Sequence, residues 1–375
     1  MANIDVHKSA IPPLNTLIEL LAFFTGNIGN HKQFTVYDMG RQIIEISIED
    51  FKRFERTEIP WPTPLLQSAW FTLIFTDKKL FDNNAGQYHL WFLKFPLDEQ
   101  GKLVQATRDE YIAQFLQQIN DNNLSIEESK KIESPYGFKP SEEKLANINA
   151  IYKVKNKLQA SHYFQPVVKY FEQTLNTAPR FRSDHKQWHN WKTLGYQGIA
   201  DFCSRLDQHT EKNQTLSTLL LNAFTCLPLP VISSLSTSLE HHALKKNIYS
   251  LWLKHLDHKQ LDAQINTLKV ISLNAHSKLQ YEYIKKSLQG PFASNIEILA
   301  IISGRNWLYL QEPELMLLYL EALARNTDSE KNFNILLQDL LFIPGMREHV
   351  LLQFRNPERS AQLSQAIGNL YSMAR

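Results

Sequence analysis

The sequence predicts an α+β N-terminal domain with a small antiparallel sheet, followed by an all-α domain of stacked helical hairpins. Convincing strand signals, which are β-rich runs bounded by turn residues, occur only before about residue 120. Beyond residue 140, apolar residues recur at helical spacing in segments of roughly 12 residues with short connections. The chain has only 12 glycines in 375 residues, which disfavours a many-stranded fold and glycine-rich nucleotide-binding loops.

Capping boxes predict the first two helices of the N-terminal domain, residues 1–120. Thr16 and Glu19 have the spacing at which a hydroxyl and a carboxylate satisfy the first amides of a helix. Ser47 and Asp50 have the same spacing before a short helix that reaches Arg56.

The strands of this domain are predicted from β-rich runs that flank turn residues. Residues 34–47 predict a hairpin around Asp38-Met39-Gly40, in which Gly40 supplies a positive φ. Beyond the hairpin, residues 88–95 predict a further strand, and residues 102–105 are expected to return as its partner. Apolar residues between 65 and 74 recur at helical spacing, so a helix is expected there.

Residues 121–140 predict the linker between the domains, since polar and charged residues dominate and Pro135, Gly137 and Pro140 interrupt regular structure. The second domain, residues 141–375, then has no convincing strand. Its helices repeat without a fixed period, so a HEAT-like solenoid and an irregular bundle are equally good expectations.

Charge and cysteine usage predict a soluble cytoplasmic protein. Lys+Arg is 40 and Asp+Glu is 38, so the net charge is +2 and the chain is neither a polybasic arm nor an acidic tail. Cys203 and Cys226 lie in apolar patterns without a CxxC partner, which favours free thiols in a reducing compartment. No signal-like N-terminus and no apolar run of about 20 residues is present.

Four stretches between Thr16 and Tyr111 resemble a known family. They are Thr16-Leu-Ile-Glu-Leu-Leu21, Phe34-Thr-Val-Tyr-Asp-Met-Gly-Arg41, Gln67-Ser-Ala-Trp70 and His89-Leu-Trp-Phe-Leu-Lys-Phe-Pro-Leu-Asp-Glu-Gln-Gly101. Together they resemble a bacterial family of about this full length, an uncharacterised domain of unknown function. The resemblance implies a bacterial cytoplasmic protein and implies no catalytic or binding residue.

Asp38-Met39-Gly40-Arg41 is the most motif-like stretch of the chain. Asp38 is expected to cap its own turn, because Asx–Gly turn chemistry accounts for the pattern. Arg41 is expected to pair with Asp38 or with an incoming anion. An enzyme with an unrecognised site near Asp38 and Arg41 is therefore one alternative, although the usual hydrolase and metalloenzyme signatures are missing and no catalytic residue is assigned.

Two sets of histidines have the spacing of metal ligands, but no metal or other cofactor is predicted. His185 and His189 are four positions apart, which places them on one face of a helix, and Cys203 is a conceivable third ligand. His241-His242 and His255-Leu-Asp-His258 form a second set. Zinc sites need three or four convergent ligands, and 13 histidines in one chain produce such spacings by chance.

The best candidate contact surface is a segment that interleaves basic and aromatic residues: Arg180, Phe181, Arg182, Lys186, Trp188, Trp191 and Lys192. Such residues can grip a protein partner. They can also neutralise phosphates and stack bases, which makes nucleic-acid binding the alternative. The simplest interpretation, favoured because amphipathic side chains usually bury their apolar parts, places the Trp rings in the domain core with the charges at the surface. The favoured expectation is a non-enzymatic protein-interaction scaffold or adaptor with an unidentified protein partner.

Overall fold

A computed structural model describes residues 14–24, 34–75, 88–122, 134–173, 186–273, 278–326 and 329–373. The chain forms two units. The first contains residues 1–40 and 45–139, and the second contains residues 41–44 and 140–375. The chain thus contributes four residues, Arg41–Ile44, to the second unit before it resumes the first, and the last of them, Ile44, is also the first residue of a strand in the sheet of the first unit.

The first unit combines a four-stranded sheet with helices. In chain order its elements are α1 (Leu17–Phe24), β1 (Phe34–Asp38), β2 (Ile44–Ile46), α2 (Ile48–Glu55), β3 (Ser68–Phe75), β4 (His89–Pro96) and α3 (Gln105–Asn122). The strand order is β2-β1-β3-β4. β3 is antiparallel to both of its neighbours, with Asp38 opposite Phe71 on one side and Leu93 opposite Phe71 on the other.

Local sequence signals explain where the first helices begin. The Glu19 amide donates to Thr16 Oγ1 at 3.1 Å, and the Asp50 amide donates to Ser47 Oγ at 3.0 Å. The helix caps predicted at Thr16 and Ser47 are therefore confirmed. Beneath α2, the buried ring of Trp61 packs on Phe54 with centroids 4.8 Å apart, within an aromatic core.

The helix predicted over residues 65–74 is wrong, because this segment contains strand β3. All but one of the eight β3 residues are buried, on both faces of the sheet. A strand covered on both sides has a nearly continuous apolar run, which lacks the period-2 alternation that identifies half-exposed strands. The strand predicted over residues 88–95 is β4, and it pairs with β3. Its predicted partner, residues 102–105, forms only a single β-bridge, between Leu97 and Leu103.

Among the described residues of the second unit, the regular elements are helices, apart from a single β-bridge between His209 and Thr215. Its α-helices are α4 (Glu142–Lys155), α5 (Phe164–Glu172), α6 (Tyr196–Cys203), α7 (Leu216–Ala223), α8 (Leu229–Leu239), α9 (Lys246–His255), α10 (Leu261–Val270), α11 (Lys278–Gln289), α12 (Ile296–Arg305), α13 (Pro313–Ala324), α14 (Ser329–Leu341), α15 (Met346–Phe354) and α16 (Ala361–Met373). Three 3₁₀ helices accompany them: Lys186–Thr193, Phe224–Cys226 and Trp307–Gln311.

These helices pack in two alternating layers. The even-numbered helices α4, α6, α8, α10, α12 and α14 contact one another in sequence and form one layer. In the other layer α5 contacts α7, α7 contacts α9, α11 contacts α13, and α13 contacts α15. Such an alternation is typical of stacked helical hairpins, so the predicted fold class, a small α+β sheet domain followed by a helical one, is confirmed.

Local residue chemistry also explains helix starts in the second unit. Ser141 caps α4, and Pro313 is the first residue of α13. Asn295 caps α12, since its Oδ1 accepts the Glu297 amide at 2.9 Å. Most of the proposed linker, residues 123–133, lies outside the described residues. Across the described ranges, no helix combines the length and the apolar composition needed to cross a bilayer.

Candidate functional site

The basic and aromatic segment proposed as a contact surface is described only in part. Arg180, Phe181 and Arg182 lie outside the described residues, as do the side chains of Lys186 and Trp188. Trp191 belongs to the 3₁₀ helix, where it is half-buried and packs against the apolar core of the helical unit. Lys192 is exposed. Trp191 therefore has a structural role on one side of its ring, and the rest of the predicted surface stays a prediction.

The second candidate, Asp38, forms the expected Asx turn at the end of β1. Its Oδ1 accepts the Gly40 amide at 2.6 Å, and its Oδ2 accepts Trp61 Nε1 at 2.9 Å and also the hydroxyl of Thr63. The carboxylate is completely buried. Gly40 does not have the positive φ that the sequence suggested. A Cβ there would lie 3.2 Å from Asp38 Oδ1, so the glycine provides close approach to the carboxylate instead.

Arg41 belongs to the helical unit together with Gln42, Ile43 and Ile44, and we call these four residues the anchor segment. The Arg41 guanidinium forms a 2.8 Å ion pair with Asp339 of α14, and both side chains are buried. It also donates to the carbonyl oxygens of Ser303, at 3.4 Å, and Asp339, at 3.2 Å. A cation suits this position because the last carbonyls of a helix lack intrahelical partners and carry partial negative charge.

The next two residues are bound by the same layer of helices. Gln42 Nε2 donates to the carbonyl of Glu240, which follows α8, and to Ser272 Oγ, which follows α10, at 3.0 and 2.6 Å. The Ile43 amide donates to His241 Nδ1 at 3.3 Å. The anchor segment therefore supplies hydrogen-bond donors to groups at the C-terminal ends of α8, α10, α12 and α14.

His241 must be neutral to accept this amide, and its surroundings keep it so. Burial lowers the pKa of His241 well below its ordinary value, and the nearby charges of His242, Lys144, Arg305 and Lys269 lower it further. Burial also lowers the pKa of His242 to about 4. Glu240 Oε2 accepts Arg305 Nε at 2.7 Å, so the carboxylate next to the imidazole already has a cationic partner.

The enzyme alternative near Asp38 and Arg41 finds no support in this geometry. Both side chains are buried, and each is bound by the groups described above. A general acid or base must come within hydrogen-bonding reach of a substrate. The contacts of Asp38 and Arg41 are instead those of a turn and a helix-end cap.

A cleft opens elsewhere in the helical unit, between α5 and the loop that precedes α7. Its volume is about 500 Å³. One wall is a face of α5, and the other is the loop from Gln208 to Leu216. Its lining residues are Phe164, Gln165, Val168, Lys169, Glu172, Gln208, His209, Thr210, Glu211 and Leu216. Apolar, amide and charged groups therefore share one open surface, as binding sites require.

The neighbouring helix α6 fixes the position of α5. A Cβ on Gly198 would lie 2.4 Å from the Tyr163 carbonyl oxygen and 2.8 Å from Val167 Cγ2, so only glycine permits this approach. Buried Asp201 accepts the amide and hydroxyl of Ser161 at 3.0 and 2.6 Å, just before α5. These contacts hold the start of α5, one wall of the cleft, against α6.

The histidines do not form a metal centre within the described ranges, where no three His, Cys, Asp or Glu side chains converge. His185 and the side chain of His189 lie outside those ranges. Burial raises the pKa of the Cys203 thiol to about 12, so this cysteine is a buried neutral thiol and a poor metal ligand.

A comparison with protein families tests the resemblance that the sequence motifs indicated. The family described as protein of unknown function, DUF3549, matches residues 14–371. The chain belongs to this family. The predicted membership of an uncharacterised family of about this length is thus confirmed, and the match extends through the helical half, where the sequence motifs were weak. No curated protein and no solved structure matches the chain.

Sequence reasoning missed two features of this DUF3549 chain. It did not assign the anchor segment to the helical unit, because Arg41 and Asp339 are 298 positions apart and no local pattern links them. It also missed the cleft, since the loop from Gln208 to Leu216 has an ordinary polar composition. One signal in the sequence was Gly198. A glycine inside a helical pattern often indicates that another element packs closely against the helix, as α5 does here.

Proposed function

We propose that the protein is a scaffold or adaptor, without catalytic activity of its own, that binds another protein through its helical unit. One observation carries this proposal. The layer containing α8, α10, α12 and α14 already holds a short peptide segment, Arg41–Ile44, by an ion pair and side-chain hydrogen bonds. Stacked helices present long surfaces suited to such contacts.

The two free cysteines support a cytoplasmic location for this scaffold. Exposed apolar side chains on the helical unit offer positions from which a partner can be detected. Tyr163 is 50% exposed, Leu229 is 42% exposed and Leu352 is 57% exposed. Single exposed residues are common on any protein, so these positions serve here as reporters of where a partner lies.

The experiment places a photo-crosslinking amino acid at Tyr163, Leu229 or Leu352 of the full-length protein in its host. Crosslinked products are then identified by mass spectrometry. The proposal predicts that at least one position yields one recurrent protein adduct. A crosslinker at Arg53 is the matched control, because this exposed side chain lies in the first unit. The absence of any recurrent protein adduct from the three helical positions contradicts the proposal.

The nucleic-acid alternative is tested on purified protein with fluorescent single- and double-stranded oligonucleotides. If Arg180 and Arg182 contact duplex phosphates, reversing both charges reduces the slope of log affinity against log salt by roughly 1.8. Tight, salt-sensitive binding that responds in this way replaces the scaffold proposal. The scaffold proposal expects weak binding and no such response.

A further inference from the structure

The loop between α6 and α7 is a small hairpin with a free backbone edge. The Thr210 amide donates to the Gln214 carbonyl at 2.8 Å, and the Leu216 amide donates to the Gln208 carbonyl at 3.0 Å. His209 and Thr215 face each other as an antiparallel pair between these bonds. In such a pair the amide and carbonyl groups point away from the partner strand.

His209 therefore offers an N–H and a C=O to the outside of the hairpin, and it lines the cleft. Neither group forms a hydrogen bond within the part of the chain that the structure describes. An unpaired strand edge of this kind can bind an extended peptide as an additional strand. The edge is short, so side-chain contacts in the cleft must contribute as well.

The floor of the cleft provides those contacts on a fixed surface. Phe164 is half-buried, while Val168 and Leu216 are buried beneath the opening. The guanidinium of Arg205 lies 5.8 Å from the centre of the Phe164 ring, and Asp201 holds that guanidinium at 2.6 Å. The aromatic ring is thus fixed before any partner arrives, which reduces the entropy cost of binding.

The charges at the rim indicate the chemistry of the partner. Glu172 is paired with Lys212 at 3.1 Å. Lys169 and Glu211 are exposed and take part in no ion pair within the described residues. One free ammonium and one free carboxylate leave the rim without net charge. Such a rim complements a polar segment without strong net charge and gives no advantage to a polyanion.

We infer that this cleft binds a partner protein through a short extended segment that pairs with the His209 backbone and places one apolar side chain on Phe164. This inference rests on the proposed scaffold function and adds to it the class of ligand and the place of binding.

The test uses a phage-displayed library of random dodecapeptides, selected on the full-length protein and then synthesised with a fluorescent label. Binding of one enriched peptide is measured by fluorescence polarisation. The first comparison is His209→Pro against His209→Ala. Proline removes the amide donor at a position where the strand edge tolerates it, whereas alanine retains the donor. We expect about fivefold weaker binding for H209P than for H209A, the effect of one hydrogen bond.

The second comparison is Phe164→Ala against Tyr371→Ala, a truncation of an exposed aromatic residue on α16. We expect F164A to weaken binding tenfold or more and Y371A to leave it unchanged. Far-UV circular dichroism and a melting curve show whether each variant is folded. If F164A unfolds, the His209 comparison alone decides the outcome.

The results separate this inference from the scaffold proposal. If no peptide is enriched, or if enriched peptides bind H209P and H209A equally, the cleft inference is overturned. A recurrent protein crosslink from the helical unit would still support the scaffold in that case. A peptide that responds only to changes outside the cleft has the same consequence.

Discussion

The ion pair between Arg41 and Asp339 allows the sharpest test of the anchor segment. Replacing Arg41 with Met keeps the length and apolar character of the side chain but removes its charge. Asp339 then remains buried without its cationic partner, and the carbonyl oxygens of Ser303 and Asp339 lose a donor. Breaking a buried pair from one side costs about 3–5 kcal/mol of stability.

The assay is urea unfolding followed by far-UV circular dichroism, which reports mainly on the helical unit. The matched control is Arg53→Met. Arg53 forms an ion pair with Asp50 at 3.6 Å, but the two side chains are 46% and 53% exposed. An exposed pair contributes at most about 1 kcal/mol, so this control should change the unfolding midpoint little.

A double-mutant cycle with Asp339→Asn identifies the cause of the loss. If the two groups act through each other, R41M and D339N together cost less than the sum of the single changes, with a coupling of roughly 2 kcal/mol. The reasoning is refuted if R41M costs under about 1 kcal/mol. It is also refuted if the two losses add to within roughly 0.5 kcal/mol.

Three further predictions concern stability. Burial raises the pKa of Glu55 to about 7, so ionisation of its carboxylate opposes folding increasingly as the pH rises from 4.5 to 7. In urea unfolding at pH 8, Glu55→Gln should therefore raise the free energy of unfolding by about 3 kcal/mol. Burial lowers the pKa of His242 to about 4, so the free energy of unfolding of the wild-type protein should decrease as the pH falls from 6.5 to 4. His242→Phe should make this decrease smaller, as measured by unfolding across an acid titration. Gly198→Ala should cost about 1–3 kcal/mol through overpacking, whereas Gly368→Ala, with open space around it, should stabilise α16 by up to about 1 kcal/mol in thermal melts.

Signals carried by neighbouring residues were sufficient for much of this fold. Thr16 with Glu19 and Ser47 with Asp50 identified helix starts because a cap needs only residues three positions apart. The turn at Asp38 was equally local, since its carboxylate accepts an amide two residues later. Local chemistry failed where burial on both faces removed the alternation of β3.

The candidate sites were harder to predict, because their partners are distant along the chain. The sequence showed Arg41 next to Asp38 and suggested a pair between neighbours or an anion site. The structure places its guanidinium on Asp339, where helix ends meet. The cleft likewise depends on how closely α5 approaches α6. Gly198 permits this close approach, but a glycine in the sequence does not identify which helix lies against it.

The buried polar layer and the open cleft support different kinds of chemistry. In the layer, each donor of the anchor segment that we describe meets an acceptor at a helix end, so protein groups take the positions a ligand would need. At the cleft, the His209 backbone and the Lys169 and Glu211 side chains have no such partner in the described chain. Exposed polar groups can exchange water for a ligand at low cost, whereas groups already paired in a core cannot. A binding activity is therefore expected at the cleft, and the anchor segment is expected to affect stability first.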